Sequence, residues 1–316
     1  MDSLKQPIFT IATITYNSGK WIRQTIESIL SSSFTDFELI ISDDGSIDDT
    51  WEIIQQYKDS RIRAWQNEIN ITEYPNRNKV LNEARGLYIL YIDGDDLLYK
   101  HTLRELFEYT NAFPDAAGIW GSSGMDFAVF PYLFTPEEIT RLILFSPYHI
   151  SIVGFAESLF KISVLKKVGG FSEKYKSGDV YIKKRIACEY PVLLTNPGYA
   201  FWRTSPGQAS NLLRKGYHSL IEMSLINEAI VKSDFFPLKD KEFENTLLYI
   251  RSSVMKLLIV QTLFKFRIFD FFCVLKKMNK SIKDVRWIFY KINMPYKPTV
   301  NENLLINSFH FSDLIN

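Results

Sequence analysis

The chain of 316 residues has little cysteine: Cys188 and Cys273 lie far apart and form no CxxC or Cys/His spacing, which excludes a disulfide framework and a thiolate zinc site. Both read as ordinary buried thiols. It also lacks a long uncharged apolar run. The longest near the C-terminus, residues 257–264, is far below the ~20 residues that a membrane span needs, so no bilayer crossing is expected. The start, MDSLKQP, has no basic stretch leading into an apolar one and does not read as a signal peptide. A reducing cytoplasm is the expected setting. No internal repeat or low-complexity tract occurs.

An excess of either charge is missing as well, with 37 Lys and Arg against 36 Asp and Glu. The balance hides an asymmetry. Residues 249–297 hold 11 basic side chains against Asp270 and Asp284, and the remainder is net acidic, with 26 basic and 34 acidic residues. The acidic part would repel a phosphate backbone, so nucleic acid is not an expected partner.

What is abundant is apolar and aromatic: 46% hydrophobic residues, including 24 Phe and 17 Tyr, enough for a packed core. The length suits one large unit plus an accessory segment. Along the first 100 residues, strand and helix patterns alternate. Residues 8–15 read as a strand ending at Tyr16-Asn17, and 19–32 as a helix with Trp21, Ile22, Ile26, Ile29 and Leu30 on one face. Residues 37–42 form a strand stopped by Asp43-Asp44-Gly45-Ser46, followed by a helix over 48–57 with an acidic first turn. A strand over 61–66, a helix over 77–86 and a nearly continuous apolar strand over 87–92 complete the series. This alternation predicts an α/β fold, with a mostly parallel sheet flanked by helices, whose ligands collect at the carboxyl ends of the strands.

Further on, a helix is expected over 101–113, strand and turn over 117–130, an aromatic-rich insertion over 131–150 and a short helix over 164–168. Strands are expected over 192–195 and 199–203. From about residue 211 the pattern is all helical, which divides the chain into 1–210 and 211–316.

The acidic clusters carry the chemistry. In extended chain Asp93 and Asp95 leave on one side while Asp96 points to the other, so two carboxylates can converge on one cation. Hard oxygen ligands at a strand end suit Mg²⁺ or Mn²⁺, which keep several waters, bridge to phosphates and neutralise a departing diphosphate. A plain strand-to-helix turn capped by Asp96 gives the same residues. The second acidic pair, Asp43-Asp44, at another strand end favours the first reading. Asp44 can accept the imide N–H of uracil or thymine, with Gly45 allowing a positive φ; an ordinary Asx turn is the alternative. Tyr16 can stack on a base, and Arg77 can grip phosphate with its fork or stand as a solvated helix-end charge.

Taken together and in order, TITYN (13–17), ISDDGSIDDT (41–50), YPNRN (74–78), ARGLYILYIDGDDL (84–97), VGGFSE (168–173) and SGD (177–179) resemble the inverting glycosyltransferase family 2, whose fold is GT-A. The resemblance covers residues 7–210. It implies a metal-dependent enzyme that moves a sugar from a nucleoside diphosphate donor, UDP-linked in the leading reading, to a hydroxyl of a glycan acceptor, free or lipid-linked, in surface polysaccharide synthesis. It also implies that Tyr16 and Asp44 hold the nucleobase, that Asp93 sits near the ribose and that Asp95 binds the metal, Mn²⁺ or Mg²⁺, carrying the diphosphate; the residue reading adds Asn17 and Arg77 to the nucleotide-sugar site and Asp93 to the metal. Asp179 then stands as the catalytic base, and Trp202, Arg203 and Gln208 lie toward the acceptor or the diphosphate. In FWRTSPGQ (201–208), Ser205 stands where the family often has a histidine, which puts metal affinity in question and motivates a second reading: a catalytically inactive relative that binds nucleotide or glycan as a partner subunit. A phosphorelay receiver shares the doubly wound fold, but its acidic pair follows the first strand, not the second.

The C-terminal region lies outside the resemblance. Residues 247–272 and 282–292 set Phe, Trp, Leu and Ile among lysines and arginines, as amphipathic helices on an anionic membrane do. Packing against the catalytic unit or against a second copy fits the same pattern.

Overall fold

The computed structural model describes residues 6–123, 130–145, 151–152, 154–204 and 217–289. Four strands, β1 (Phe9–Thr15), β2 (Phe37–Asp43), β3 (Ile62–Gln66) and β4 (Tyr88–Tyr91), run parallel in the order β3-β2-β1-β4. Helices α1 (Ile22–Leu30), α2 (Thr50–Gln55) and α3 (Glu73–Glu83) make the connections. A short β5 (Leu97–Leu98) and α4 (Thr102–Ala112) follow. The sheet continues through β6 (Gly118–Ser123), β7 (Tyr132–Phe134), β8 (Ser151–Ile152), β9 (Ser158–Lys161) and β10 (Val192–Thr195). Its full order is β3-β2-β1-β4-β9-β6-β10-β7, with β8 beside β6.

Alternation along the central strands builds two cores. Phe9 and Ile11 of β1, and Leu90 and Ile92 around β4, meet Ile22, Ile26 and Ile29 of α1 and Leu103 and Leu106 of α4. Ala12, Ile14, Ile89 and Tyr91 face the other way, onto Val80 and Leu81 of α3, Ile162 and Leu165 of α6 (Ile162–Lys167), and Ile182 and Ile186 of α7 (Gly178–Ala187). Each buried Leu, Ile, Val or Phe contributes about 1.5–3 kcal/mol, which is why the sheet needs helices on both faces.

Several elements differ from the sequence reading. Helix α3 begins at Glu73, not Arg77, because Thr72 at φ 74° breaks the chain and Pro75 fits a first turn whose N–H groups go unbonded anyway. Helix α7 has no counterpart in the sequence reading, since Lys183, buried with Ile182 and Ile186, interrupts the apolar stripe. Strand β9 inserts antiparallel between β4 and β6, and its four residues are too few to show a period. The insertion over 131–150 resolves, within its described residues, into β7 and α5 (Pro136–Phe145). Cys188 is buried as expected, whereas Cys273 is only half-buried.

A two-stranded ribbon joins β5 to β11 (Ala200–Phe201) and brings the chain after residue 201 back to the sheet edge. Beyond it come α8 (His218–Val231), α9 (Asp240–Gln261) and α10 (Ile268–Lys277), the last two joined by a 3₁₀ turn, Leu263–Lys265. Ile226, Ile230 and Val231 pack on Tyr175 and Cys188 around α7, and Arg141 of α5 meets Glu242 of α9 at 2.9 Å. Residues Asp240–Lys265 are long and apolar enough to cross a membrane by length and composition, with a mean hydropathy of 1.4 over 18 residues, of which 28% are buried. The uncharged-run criterion missed this helix because Arg251 and Lys256 interrupt it.

Candidate active site

Parallel register sets the site. Thr15 pairs with Asp43 and Ala12 with Tyr91, so the carboxyl ends of β1, β2 and β4 lie side by side. Backbone bonds extend the alignment past the strands: Asp44 N–H donates to Thr15 O at 2.8 Å and Gly94 N–H to Ile14 O at 3.0 Å. Tyr16, Asp44 and the Asp93-Gly94-Asp95-Asp96 segment therefore share one edge.

That segment is a tight turn, not extended chain, because Asp96 N–H donates to Asp93 O at 3.0 Å. Asp93 and Asp95 are half-buried and Asp96 is interior. Only glycine fits position 94, where a Cβ would stand 2.4 Å from Thr15 Oγ1. Thr25 Oγ1 of α1 donates between Gly94 O at 3.0 Å and Asp96 O at 2.8 Å. Arg203 braces the other side: its N–H donates to Asp96 Oδ1 at 3.0 Å, its Nε to Asp95 O at 2.8 Å, and its guanidinium lies 4.0 Å from the Trp21 ring. Burial, helped by the neighbouring Asp93 charge, pushes Asp96 up to about 7 against the pull of the Arg203 N–H.

Arg77 lies in the second turn of α3 and is buried, so it is not a solvated helix-end charge. Its Nε and Nη2 donate to Glu73 Oε1, and Nη2 also reaches both oxygens of Asp93. The guanidinium is sandwiched 4.0 Å from the Phe155 ring and 5.2 Å from Tyr91. Burial disfavours its charge, and Asp93 and then Glu73 outweigh that, so it stays cationic. Its fork faces carboxylates instead of a phosphate, apart from Nη1, which is buried with no partner.

Asp44 is buried and largely committed. Its carboxylate accepts from Asn67 Nδ2 at 2.9 Å and from the N–H groups of Ile71 and Thr72 at 3.0 Å each. A carboxylate has about four acceptor sites, so roughly one remains, on Oδ2. Tyr16 exposes its ring at the same edge. Asn17, at φ 51°, accepts from Ile47 N–H through Oδ1 and donates its own N–H to Ser46 Oγ. It ties the β1 loop to the β2 loop. Gly45 adopts the expected positive φ, 76°.

Asp179 opens α7, in its first turn. Tyr74 holds this N-terminus: its O–H donates to Lys176 O at 2.9 Å and Gly178 N–H donates to its Oη at 2.7 Å. Glu73, the residue before it, has its pKa raised by burial, against the pull of Arg77, with the charges of Asp93 and Asp179 adding to the rise. One turn after Asp179, buried Lys183 donates to Gly154 O at 3.3 Å, and burial draws its pKa down to about 8 against the charges of Asp179 and Glu157.

Trp202 is exposed beside the ribbon; Ser205 and Gln208 lie outside the described residues. Sequence reasoning missed Glu73, Tyr74, Thr25 and Glu157, whose carboxylate accepts from the N–H groups of Gly198, Tyr199 and Ala200 and shapes the approach to Arg203. Only Glu73 left a local signal, its four-residue spacing to Arg77. Among the described residues no three His, Cys, Asp or Glu side chains form a cation cage. The half-buried pair Asp93 and Asp95 still fits Mg²⁺ or Mn²⁺, which need only one or two carboxylates when water and phosphate complete the shell.

Comparison with known proteins adds the lineage. The chain is 32% identical over 142 residues to the UDP-Glc:alpha-D-GlcNAc-diphosphoundecaprenol beta-1,3-glucosyltransferase WfaP of Escherichia coli, covering 42% of this chain and 53% of that protein, so it spans about half the length of such a relative. Its fold resembles S. aureus TarS, solved with UDP-GlcNAc, at a TM-score of 0.59 and 21% identity over 77% of this chain and 71% of the other. It also resembles the mannosyltransferase PcManGT of Pyrobaculum calidifontis, solved with GDP-Man and Mn²⁺, at 0.58 and 14% over 90% and 79%. The sheet of mostly parallel strands between helices is thus a GT-A fold. The sequence model of glycosyl transferase family 2 matches residues 10–169, half of the chain, and with the motifs placed along this edge the protein belongs to that family.

Proposed function

We propose that the chain is an inverting glycosyltransferase that carries a sugar from a nucleoside diphosphate, UDP in the first instance, to a hydroxyl of a glycan acceptor during surface polysaccharide synthesis. The observation that carries this reading is the link through α3, whose Arg77 bonds Asp93 of the β4 turn and whose Tyr74 accepts from Gly178 N–H, next to Asp179 of α7. Donor side and acceptor side are thereby brought together.

In this reading Tyr16 stacks on the base, and the remaining acceptor site of Asp44 takes its imide N–H. Arg77, bonded to both oxygens of Asp93, holds that carboxylate toward the ribose. Mg²⁺ or Mn²⁺ on Asp95 and Asp93 would neutralise the diphosphate as it departs. Asp179 takes the proton of the acceptor hydroxyl while that oxygen bonds to the anomeric carbon; the bond from that carbon to phosphate oxygen breaks, and the electron pair leaves with the nucleoside diphosphate. The donor assignment draws support from the UDP sugars named for WfaP and TarS, the metal from the PcManGT complex, and a lipid-linked acceptor from the diphosphoundecaprenol in the WfaP name. The setting we propose is cytoplasmic.

Calorimetric titration of UDP, dTDP, GDP and CMP, with and without Mn²⁺, tests the reading. UDP should bind selectively, more tightly with Mn²⁺, and Asp95→Ala should remove the metal effect. A folded chain that binds none of the four would sink it and leave the inactive partner-subunit reading.

A further inference from the structure

The end of α9, the turn after it and α10 present a surface that none of the crevice chemistry uses. Residues 264–269 read FKFRIF, and all six are exposed: Phe264 at 74%, Phe266 at 92%, Ile268 at 60% and Phe269 at 80%, alternating with Lys265 and Arg267. Phe266 adopts a left-handed φ of 58°, which turns the chain between the two helices and leaves these side chains outermost.

Both helices extend the patch. On α10, Phe271, Val274, Leu275 and Met278 are buried against α8 and α9, whereas Ile268, Phe269, Phe272 and Lys276 face outward. On α9, Leu257 and Val260 are exposed at helical spacing toward Phe264. A helix that is apolar on both its packed and its outer face is built for a second apolar medium. Exposed lysines rim it at 256, 265, 276, 277 and 283, and the one acidic residue within 245–283, Asp270, accepts from Tyr217 Oη at 3.2 Å.

We infer that this aromatic and basic tip docks the protein on an anionic phospholipid bilayer, with the rings of Phe264, Phe266 and Phe269 entering the acyl boundary and the lysines meeting lipid phosphate. Charge selects this occupant over a second copy. A twofold pairing of the tip would set Lys265, Arg267 and Lys276 against their own copies, whereas a negative surface attracts all of them. The docking is superficial, because Arg141–Glu242 and the packing of Ile250 and Met255 hold α9 against the rest of the protein. It stands independently of the proposed reaction.

Flotation of the full chain with vesicles of phosphatidylcholine alone, or mixed in equal parts with phosphatidylglycerol, tests it. Binding should require phosphatidylglycerol and weaken with added salt. The double variant Phe266→Asp/Phe269→Asp should lower partitioning by about tenfold or more per ring while UDP binding and circular dichroism stay unchanged. Lys265→Glu/Lys276→Glu should weaken binding to the mixed vesicles. No flotation by the folded chain at low salt overturns the inference. So does flotation only after truncation at residue 289, which would make the tail the occupant, or a dimer in sedimentation that the Phe variants dissociate. Resistance to alkaline carbonate extraction overturns it in favour of a membrane span.

Discussion

Arg77 Nη2 donates to both carboxylate oxygens of Asp93, at 2.8 and 3.1 Å, with Arg77 2% and Asp93 39% exposed. The cation is inside and the anion at the crevice wall, so the pair aims one carboxylate outward from a fixed base. Glu73 shares the same guanidinium. Arg77→Met should therefore strand two like charges and lower stability by about 3 kcal/mol in urea unfolding, whereas Asp93→Asn, which leaves Glu73 paired, should cost about 1 kcal/mol. Equal losses in the two variants would mean that Arg77 is not the hub.

Tyr74 connects α3 to the residue proposed as the base without touching a substrate. Removing its hydroxyl in Tyr74→Phe deletes the bonds to Lys176 O and Gly178 N, about 1–2 kcal/mol of local stability, and frees the start of α7. Turnover should fall roughly tenfold with UDP affinity unchanged, because the proposed donor contacts Tyr16, Asp44 and Asp93 follow β1, β2 and β4 and do not depend on this hydroxyl. A drop in UDP affinity instead would show that the ring matters only for packing.

Asp179 itself gives a sharper separation. Asp179→Asn keeps size and polarity but cannot take the acceptor proton, so turnover should fall by about 10² or more while UDP and Mn²⁺ titrations match the parent. Unchanged turnover would remove Asp179 from the proposed role.

The parts of this site that were readable in sequence are the ones written in local order. Tyr16, Asp44 and Asp93 each follow a strand whose apolar run marks its end, so their shared edge follows from parallel topology alone. The β4 turn was readable as acidic but not in its geometry, since the closure from Asp96 to Asp93, the bridge from Thr25 and the brace from Arg203 come from residues up to 108 positions away. Arg77 was legible as a charge near phosphate chemistry and not as a buried counter-ion, because burial depends on Phe155 and Tyr91 closing over it. The place of Asp179 at the start of α7 required a helix whose apolar stripe is broken by Lys183, and family resemblance alone singled it out.

Position 94 tests how tightly the turn is built. A Cβ there would stand 2.4 Å from Thr15 Oγ1 and 2.7 Å from Thr15 Cβ, so Gly94→Ala must push the turn off the end of β1. Overpacking of this kind costs about 1–3 kcal/mol, and the displaced carboxylates should weaken Mn²⁺-dependent UDP binding by about tenfold. Binding equal to the parent would show a turn free to move and would remove the case for a preset cation site.

Acid sensitivity should concentrate in the C-terminal helices. Glu228 of α8 bonds Arg251 of α9 at 3.1 Å and also Lys280, with Lys232 at 3.7 Å. Burial alone would raise its pKa, but the bonds from Lys280 and Arg251 outweigh this and hold it below its ordinary value of 4.5. Because the folded value is the lower one, the unfolded chain binds more protons across that interval. The stabilisation is therefore complete above about pH 4.5 and lost as pH falls through the folded pKa. Hydrogen exchange should show α8 and α9 opening on acidification before the central sheet. Glu228→Gln should lose about 2 kcal/mol at neutral pH, since it removes the charge that bonds Lys280 and Arg251, and should show a flatter response to acid. A variant with the same acid profile as the parent would place the sensitivity in other carboxylates.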